Sequence, residues 1–177
     1  SGHRVLDMFC YGGGFGLAAL KLGGAKSVHG VDVSASAITL AEANAELNSV
    51  ADHCRFEKSK AFDALERLAA DEKTFDTVIL DPPKLARHRG GVVKALRGYH
   101  SLNRMAVSLL PPGGILVTCS CSGLVSRSDF EAMLADVATK SNRRIRILES
   151  RSAGADHPTS VNCFETDYLK CLICRVD

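Results

Sequence analysis

The 177-residue chain has no tryptophan, only 6% aromatic residues and little charge of either sign in excess, with a formal net charge of +2. It has no internal repeat, no low-complexity linker and no charged-then-apolar leader before its first element. No apolar run approaches the ~20 residues that a helical membrane span needs. These absences exclude a membrane helix and a disordered or fibrous chain. What is present is 46% apolar and 24% charged residues, the make-up of a soluble globular protein. A chain of this length is expected to form one domain, residues 1–177, that buries roughly two-thirds of the surface its unfolded state exposes.

The net charge is too small to announce a nucleic-acid partner. Charge is nonetheless unevenly placed, because the segment from Lys84 to His100 holds Lys84, Arg87, Arg89, Lys94 and Arg97 and no acid, a local basic patch. Seven cysteines, an odd number scattered through apparent strands and loops, fit reduced thiols and a cytoplasmic compartment better than a disulfide framework. The lone Cys-x-x-Cys, Cys171 to Cys174, lacks the second pair that would complete a tetrahedral metal site and reads as strand packing.

Apolar runs of strand length alternate with helix-period segments from end to end, the signature of an α/β domain with a mostly parallel sheet. The expected strands are Val5 to Phe9, Ser27 to Val31, Cys54 to Phe56, Phe75 to Leu80, Ile115 to Cys119, Arg144 to Leu148 and Tyr168 to Val176. The expected helices run near Phe15 to Leu22, after a Ser34 cap with Ile38, Ala41, Ala45 and Leu47 as apolar positions, through Phe62, Leu65 and Leu68, from Val92 to Leu110, and from about Ser128 to Thr139. Seven strands and about six helices fill the chain, and Glu149 to Thr166 reads as a polar connection.

The first strand runs into Asp7-Met8-Phe9-Cys10-Tyr11-Gly12-Gly13-Gly14-Phe15-Gly16, a carboxylate followed by glycines at the turn into a helix. Backbone can approach a ligand there because no Cβ blocks it. Asp32, closing the second strand, stands where a carboxylate accepts hydrogen bonds from ribose hydroxyls. Two carboxylates flanking a glycine turn suit an adenosine-bearing ligand with a cationic amino acid tail, S-adenosylmethionine. Gly14-x-Gly16-x-x-Ala19 also satisfies the loose dinucleotide fingerprint. Asp7 favours S-adenosylmethionine over NAD, since a buried acid would repel a pyrophosphate and attract an amino group.

Two further segments, Leu80-Asp81-Pro82-Pro83-Lys84 and Thr118-Cys119-Ser120-Cys121-Ser122-Gly123, each close an apolar run. In an open parallel sheet ligands bind beyond the carboxyl ends of the strands where strand order reverses, so Asp7, Asp81 and Cys121 are expected to converge. A carboxylate and a thiol presented together can clamp a pyrimidine ring, one holding its edge and the other attacking it.

The chain resembles the catalytic domain of the bacterial ribosomal RNA large-subunit methyltransferase I family, the RlmI type, which makes 5-methylcytosine. The motifs that carry the resemblance are Asp7-x-Phe9-x-Tyr11-x-Gly13-Gly14-Phe15, Val31-Asp32, Phe75-Asp76 followed by Asp81-Pro82-Pro83-Lys84, Ser120-Cys121-Ser122-Gly123-Leu124, Asp156-His157-Pro158 and Tyr168-Leu169-Lys170. The resemblance implies a Rossmann-like class I S-adenosylmethionine-dependent methyltransferase, with a seven-stranded mostly parallel sheet, helices on both faces and an antiparallel last strand. It implies that S-adenosyl-L-methionine is held around Asp7, Phe9, Tyr11, Gly13, Gly14, Phe15, Asp32, Phe62, Asp81 and Pro82. It further implies that Cys121 is the nucleophile, that Asp81 assists it, and that Pro83, Lys84 and His157 face the substrate, a single-stranded or flipped cytosine of large-subunit ribosomal RNA.

The chain departs from the family in places. Lys60 stands where the family has an acid that approaches adenine, so Ala61 and Phe62 are expected to serve by backbone and packing. Related two-cysteine enzymes place a second thiol where this chain has Lys84, so a single-thiol mechanism is expected, with Cys119 as the rival thiol and the proton-removing base unassigned. The family's PUA and β-hairpin domains, which it carries upstream, do not fall within residues 1–177, and the abrupt start reads as that of a fragment; the residues leave open whether the protein is a homodimer. Two other functions remain open here: methylation of another nucleobase atom without a thiol, and a non-catalytic cofactor- or RNA-binding module.

Overall fold

The computed structural model describes residues 1–86 and 88–177, with the side chain of Phe164 set aside, so Arg87 of the basic segment lies outside the described residues. Seven strands, β1 (Arg4–Met8), β2 (Ser27–Asp32), β3 (Cys54–Lys58), β4 (Thr77–Leu80), β5 (Gly114–Ser120), β6 (Ile145–Arg151) and β7 (Lys170–Val176), form one sheet in the order β3-β2-β1-β4-β5-β7-β6. Strands β1 to β5 pair in parallel, and β7 runs antiparallel to both β5 and β6. The order reverses between β1 and β4, which places the crevice of an open α/β sheet above the ends of those two strands.

Alternation along the central strands explains the layering. Leu6 and Met8 of β1 face a core shared with α3 (Ala61–Ala70), α4 (Val92–Ser108) and α5 (Arg127–Lys140), joined by Val31, Leu80, Leu116 and Phe130. Val5 faces the other way with Val28 and Ile79, against α1 (Gly14–Lys21), while α2 (Ala35–Leu47) packs beside α1 through Ala45. Strands buried on both faces read as continuous apolar runs, which is why β1 and β4 stand out in the sequence. Asp7 shares its face with Val5 and is carried into the interior under α1.

The α/β class, the sheet and the antiparallel last strand are as expected, and several details differ. There are five α-helices among the described residues, not about six, with three single-turn 3-10 helices at Ala51–His53, Arg89–Gly91 and Phe164–Thr166. Leu47 is 82% exposed. It lies nine positions after Ile38, about half a turn round the helix at 100° per residue, so it cannot share the face of Ile38, Ala41 and Ala45. Strand β6 extends to Arg151 through residues expected to be a polar connection, because it is an edge strand exposed along almost its whole length, with a register shift between Ile147 and Glu149. Strand β1 stops at Met8 because Phe9 takes φ 65°. The last α-helix is capped by Ser126, whose hydroxyl and Asp129 form a reciprocal capping box, a signal present in the sequence and not used.

Candidate active site at the strand crossover

The loop leaving β1 is bent by three residues in the left-handed region, Phe9 at φ 65°, Tyr11 at 46° and Gly13 at 80°. Gly13 adopts this freely, whereas Phe9 and Tyr11 do so at a cost of roughly 1–3 kcal/mol each. Neighbouring contacts hold the loop. The Cys10 N–H donates to the Val31 carbonyl at 3.0 Å, and the Asn44 side chain donates to the Gly12 carbonyl at 2.9 Å. Asp32 accepts from the Tyr11 N–H at 3.0 Å with one oxygen and from the Ser34 N–H at 2.9 Å with the other. Each oxygen keeps a further lone pair for a ligand hydroxyl. This bracing role of Asp32 was not read from the sequence.

Asp7 is buried, and its Oδ2 accepts from the Gly16 N–H at 3.0 Å. A Cβ on Gly16 would approach the Val28 side chain to 2.6 Å, so glycine is what lets α1 sit close enough for this bond. The other oxygen, Oδ1, is buried without a partner. Burial lifts the Asp7 carboxyl to about 7 against the pull of the Gly16 bond, with the charges of Asp81 and Asp32 adding to the rise. An orphaned acid oxygen beside a glycine turn fits the amino group of S-adenosylmethionine, which would supply both a donor and a positive charge.

A cavity of about 410 Å³ opens above the crossover, lined by Phe9, Tyr11, Val31, Asp32, Val33, Ser59, Ala61, Asp81 and Pro83. Its mostly apolar walls fit an adenosine with its ribose against Asp32, one of the two carboxylates that line it with Asp81. Gly13, Gly14 and Phe15 lie at the start of α1 without lining the cavity, and Phe62 stands apart from it. As the second residue of α3, Phe62 faces an outer groove with Arg104 and Met105 and is 41% exposed. Among the residues next to Lys60, Ala61 therefore meets the cavity and Phe62 does not. A larger groove of about 600 Å³ between α4 and α5 carries none of the strand-end residues.

The second wall joins two strand ends. The Cys121 thiol donates to the Pro82 carbonyl at 3.8 Å, and both Asp81 and Cys121 are partly buried. Burial raises the Asp81 carboxyl above the usual range. Burial also raises the Cys121 thiol, with Asp81 adding to the rise, while a backbone N–H bond and the charges of Lys170 and Lys84 oppose it. The rival thiol sits differently. Cys119 lies inside β5 opposite Cys171 of β7 and is 2% exposed; its contact with Cys171 and its burial hold it well above the ordinary thiol range.

Ser122 ties the chain leaving β4 to the end of β5 and to α4. Its hydroxyl accepts from the Leu85 N–H at 3.2 Å and the Ala86 N–H at 3.1 Å, and bonds the Tyr99 hydroxyl of α4 at 3.1 Å. Lys170 is 5% exposed and donates to the carbonyls of Ser122 at 2.7 Å and Tyr168 at 2.8 Å. Neither residue was singled out for this work in the sequence. Pro82 is buried, and Pro83 and Lys84 are exposed at the mouth. His157 lies in an exposed loop, where its ring pairs with Asp156 at 3.2 Å, and among the described residues no hydrogen bond or ion pair brings it to the crossover. Cys171 and Cys174 are three apart in β7 and so point to opposite faces.

A family model described as a methyltransferase domain matches residues 1–167. The chain belongs to the methyltransferase domain family. Among its relatives, the ribosomal RNA large subunit methyltransferase I of Tolumonas auensis is 46% identical over 98% of the chain, and that of Aeromonas hydrophila is 44% identical over 98%. The chain spans 44% of the length of each. The crystal structure of SMU.776 complexed with SAH superposes with a TM-score of 0.86 at 24% identity, covering 99% of this chain and 45% of that one. The fold of the methyltransferase domain is thus matched from end to end, crossover included.

Proposed function

We propose that the methyltransferase domain transfers a methyl group to carbon 5 of a cytosine in large-subunit ribosomal RNA, through a covalent adduct between Cys121 and carbon 6. The observation that carries this reading is the Cys121 thiol on the Pro82 carbonyl, near enough to Asp81 to feel its charge, with Asp81 itself lining the cavity. The names of the relatives in Tolumonas auensis and Aeromonas hydrophila supply the substrate class. Seven free thiols support a cytoplasmic setting, and among the described residues no helix is long and apolar enough to cross a membrane.

Carbon 5 of cytosine is a poor nucleophile until a group adds at carbon 6. As the Sγ–C6 bond forms, the thiol gives up its proton and ring nitrogen 3 receives one, with the Asp81 carboxyl as carrier. A raised Asp81 suits that role, because it holds and releases a proton nearer neutrality than an exposed aspartate does. Bound S-adenosylmethionine supplies an electrophilic methyl group on its sulfonium. Asp32 and Asp7 would hold its ribose and its amino acid tail, and the cofactor would give up its methyl group to carbon 5 and leave as a neutral thioether. A base then takes the carbon 5 proton as the Sγ–C6 bond breaks and the thiolate leaves, and ring nitrogen 3 returns its proton to the thiolate through Asp81. The base must be unstacked for attack on its face, so the substrate is single-stranded or flipped.

Nucleoside mass spectrometry of large-subunit ribosomal RNA treated with the enzyme and cofactor tests the product. RNA carrying 5-fluorocytosine tests the adduct, because fluorine cannot leave as a proton and elimination stalls. A methylated cytosine at any atom other than carbon 5, or no adduct with active enzyme, would refute the reading.

A further inference from the structure

We infer that the cleft between the β4–α4 connection and α4 is a subsite for the nucleotide of single-stranded RNA that flanks the target base. This rests on the proposed RNA substrate and adds a second place where that RNA is held. The cleft encloses about 360 Å³ and is lined by Leu85, His88, Gly91, Lys94, Ala95 and Gly98. Leu85 follows Lys84 at the mouth of the site, and its N–H is fixed by Ser122, the residue after Cys121. The cleft is therefore tied to the thiol through one side chain.

Its chemistry is that of a base-and-phosphate site. Leu85, Ala95 and Gly98 give an apolar floor, with no side chain on Gly98 to fill it. The His88 ring lies over glycine backbone, where a Cβ on Gly91 would come within 3.4 Å of the ring. An exposed ring above an apolar floor is a stacking platform. Lys84, Arg89 and Lys94 are exposed around it, and among the described residues none of them pairs with a carboxylate.

Charge segregation makes the partner a polyanion. The 47 residues between Asp81 and Asp129 contain seven of the 22 basic residues and no acid, while the other fifteen share the remainder of the chain with all 20 acids. A chain of net charge +2 thus presents one strongly positive stretch, and it begins at the catalytic carboxylate. Phosphates neutralised there would release counterions, and the neighbouring base would enter the cleft.

Fluorescence anisotropy with a labelled pyrimidine-rich single-stranded RNA, without cofactor and across a salt series, tests the inference. Arg89→Gln with Lys94→Gln should weaken binding and lower the slope of log affinity against log salt by about 1.4, two single-strand phosphate contacts. His88→Ala should weaken binding roughly tenfold at every salt concentration, as loss of one stacked base does. Lys26→Gln with Lys73→Gln, two exposed cations at the opposite end of the sheet, should change neither. Unaltered binding in the cleft variants, an equal loss in the distant pair, or no RNA binding by the parent chain would overturn the subsite. Nucleoside mass spectrometry reads the reaction separately, so RNA bound through this cleft with cytosine left unmethylated would refute the proposed reaction and leave the subsite standing.

Discussion

The thiol of Cys121 hydrogen-bonds the carbonyl of Pro82, 39 residues earlier in the chain. That contact ties the end of β5 to the end of β4 and presents the thiol beside Asp81. Cys121→Ala is expected to abolish methylation while leaving cofactor affinity nearly unchanged, since in the proposed reaction the thiol would meet the base and not the cofactor. Cys119→Ala, deep in the ladder opposite Cys171, should slow the rate about tenfold or less, equivalent to about 1.4 kcal/mol of barrier. Peptide mapping of the 5-fluorocytosine adduct decides between the thiols, and an adduct on Cys119 would reverse the assignment.

Ser122→Ala leaves the Leu85 and Ala86 N–H groups without their acceptor. Losing a buried acceptor costs about 1–3 kcal/mol, so the melting temperature should fall by several degrees. The methylation rate should drop by at least about tenfold, because the chain leaving β4 keeps the Cys121–Pro82 contact but loses its second tie to the end of β5, at Leu85 and Ala86. Calorimetric melting together with single-turnover rates checks both effects. A stable variant with the parent rate would show that Ser122 does not set the geometry.

The Asp7 carboxyl stands at about 7 against an ordinary 3.8, chiefly through burial. A carboxyl raised on folding contributes stability that is fully present below the unfolded value and is lost as pH rises through the folded value. The melting temperature of the cofactor-free protein should therefore lose this contribution between pH 4 and pH 7. Asp7→Asn, which keeps the volume and an acceptor for Gly16, should melt higher than the parent at pH 8 and show no such gain at pH 4. The same variant should bind S-adenosylmethionine more weakly. A stability difference independent of pH would mean that Asp7 is not the titrating group.

Lys170 places a buried ammonium on the carbonyl of Ser122 and lowers the Cys121 thiol through its charge. Lys170→Met should shift the pH profile of Cys121 alkylation by iodoacetamide upward and slow it at pH 8. Lys170→Arg should restore part of the shift. If the melting temperature falls and the alkylation profile stays in place, Lys170 supports the loop without tuning the thiol.

The sequence by itself determined the α/β class, the order of its elements and the identity of the strand-end residues. Strands buried on both faces and helices with one apolar stripe leave periodic patterns, and Pro82-Pro83 and the glycines of the first turn interrupt those patterns where the chain must leave the sheet. Asp7, Asp32, Asp81 and Cys121 were legible for that reason. Edge strands carry no such signal: β6 is exposed almost throughout, so its length was set by pairing with β7 and not by its own composition. The tertiary structure alone decided which residues meet across the sheet. Ser122 reaches Ala86 across 36 positions and Lys170 reaches Ser122 across 48, contacts that exist only because β5 lies between β4 and β7. It also separated two thiols two residues apart, enclosing Cys119 within the ladder and leaving Cys121 just beyond it. Period and composition describe each segment's own burial, while these pairings depend on strand order, which no single segment encodes.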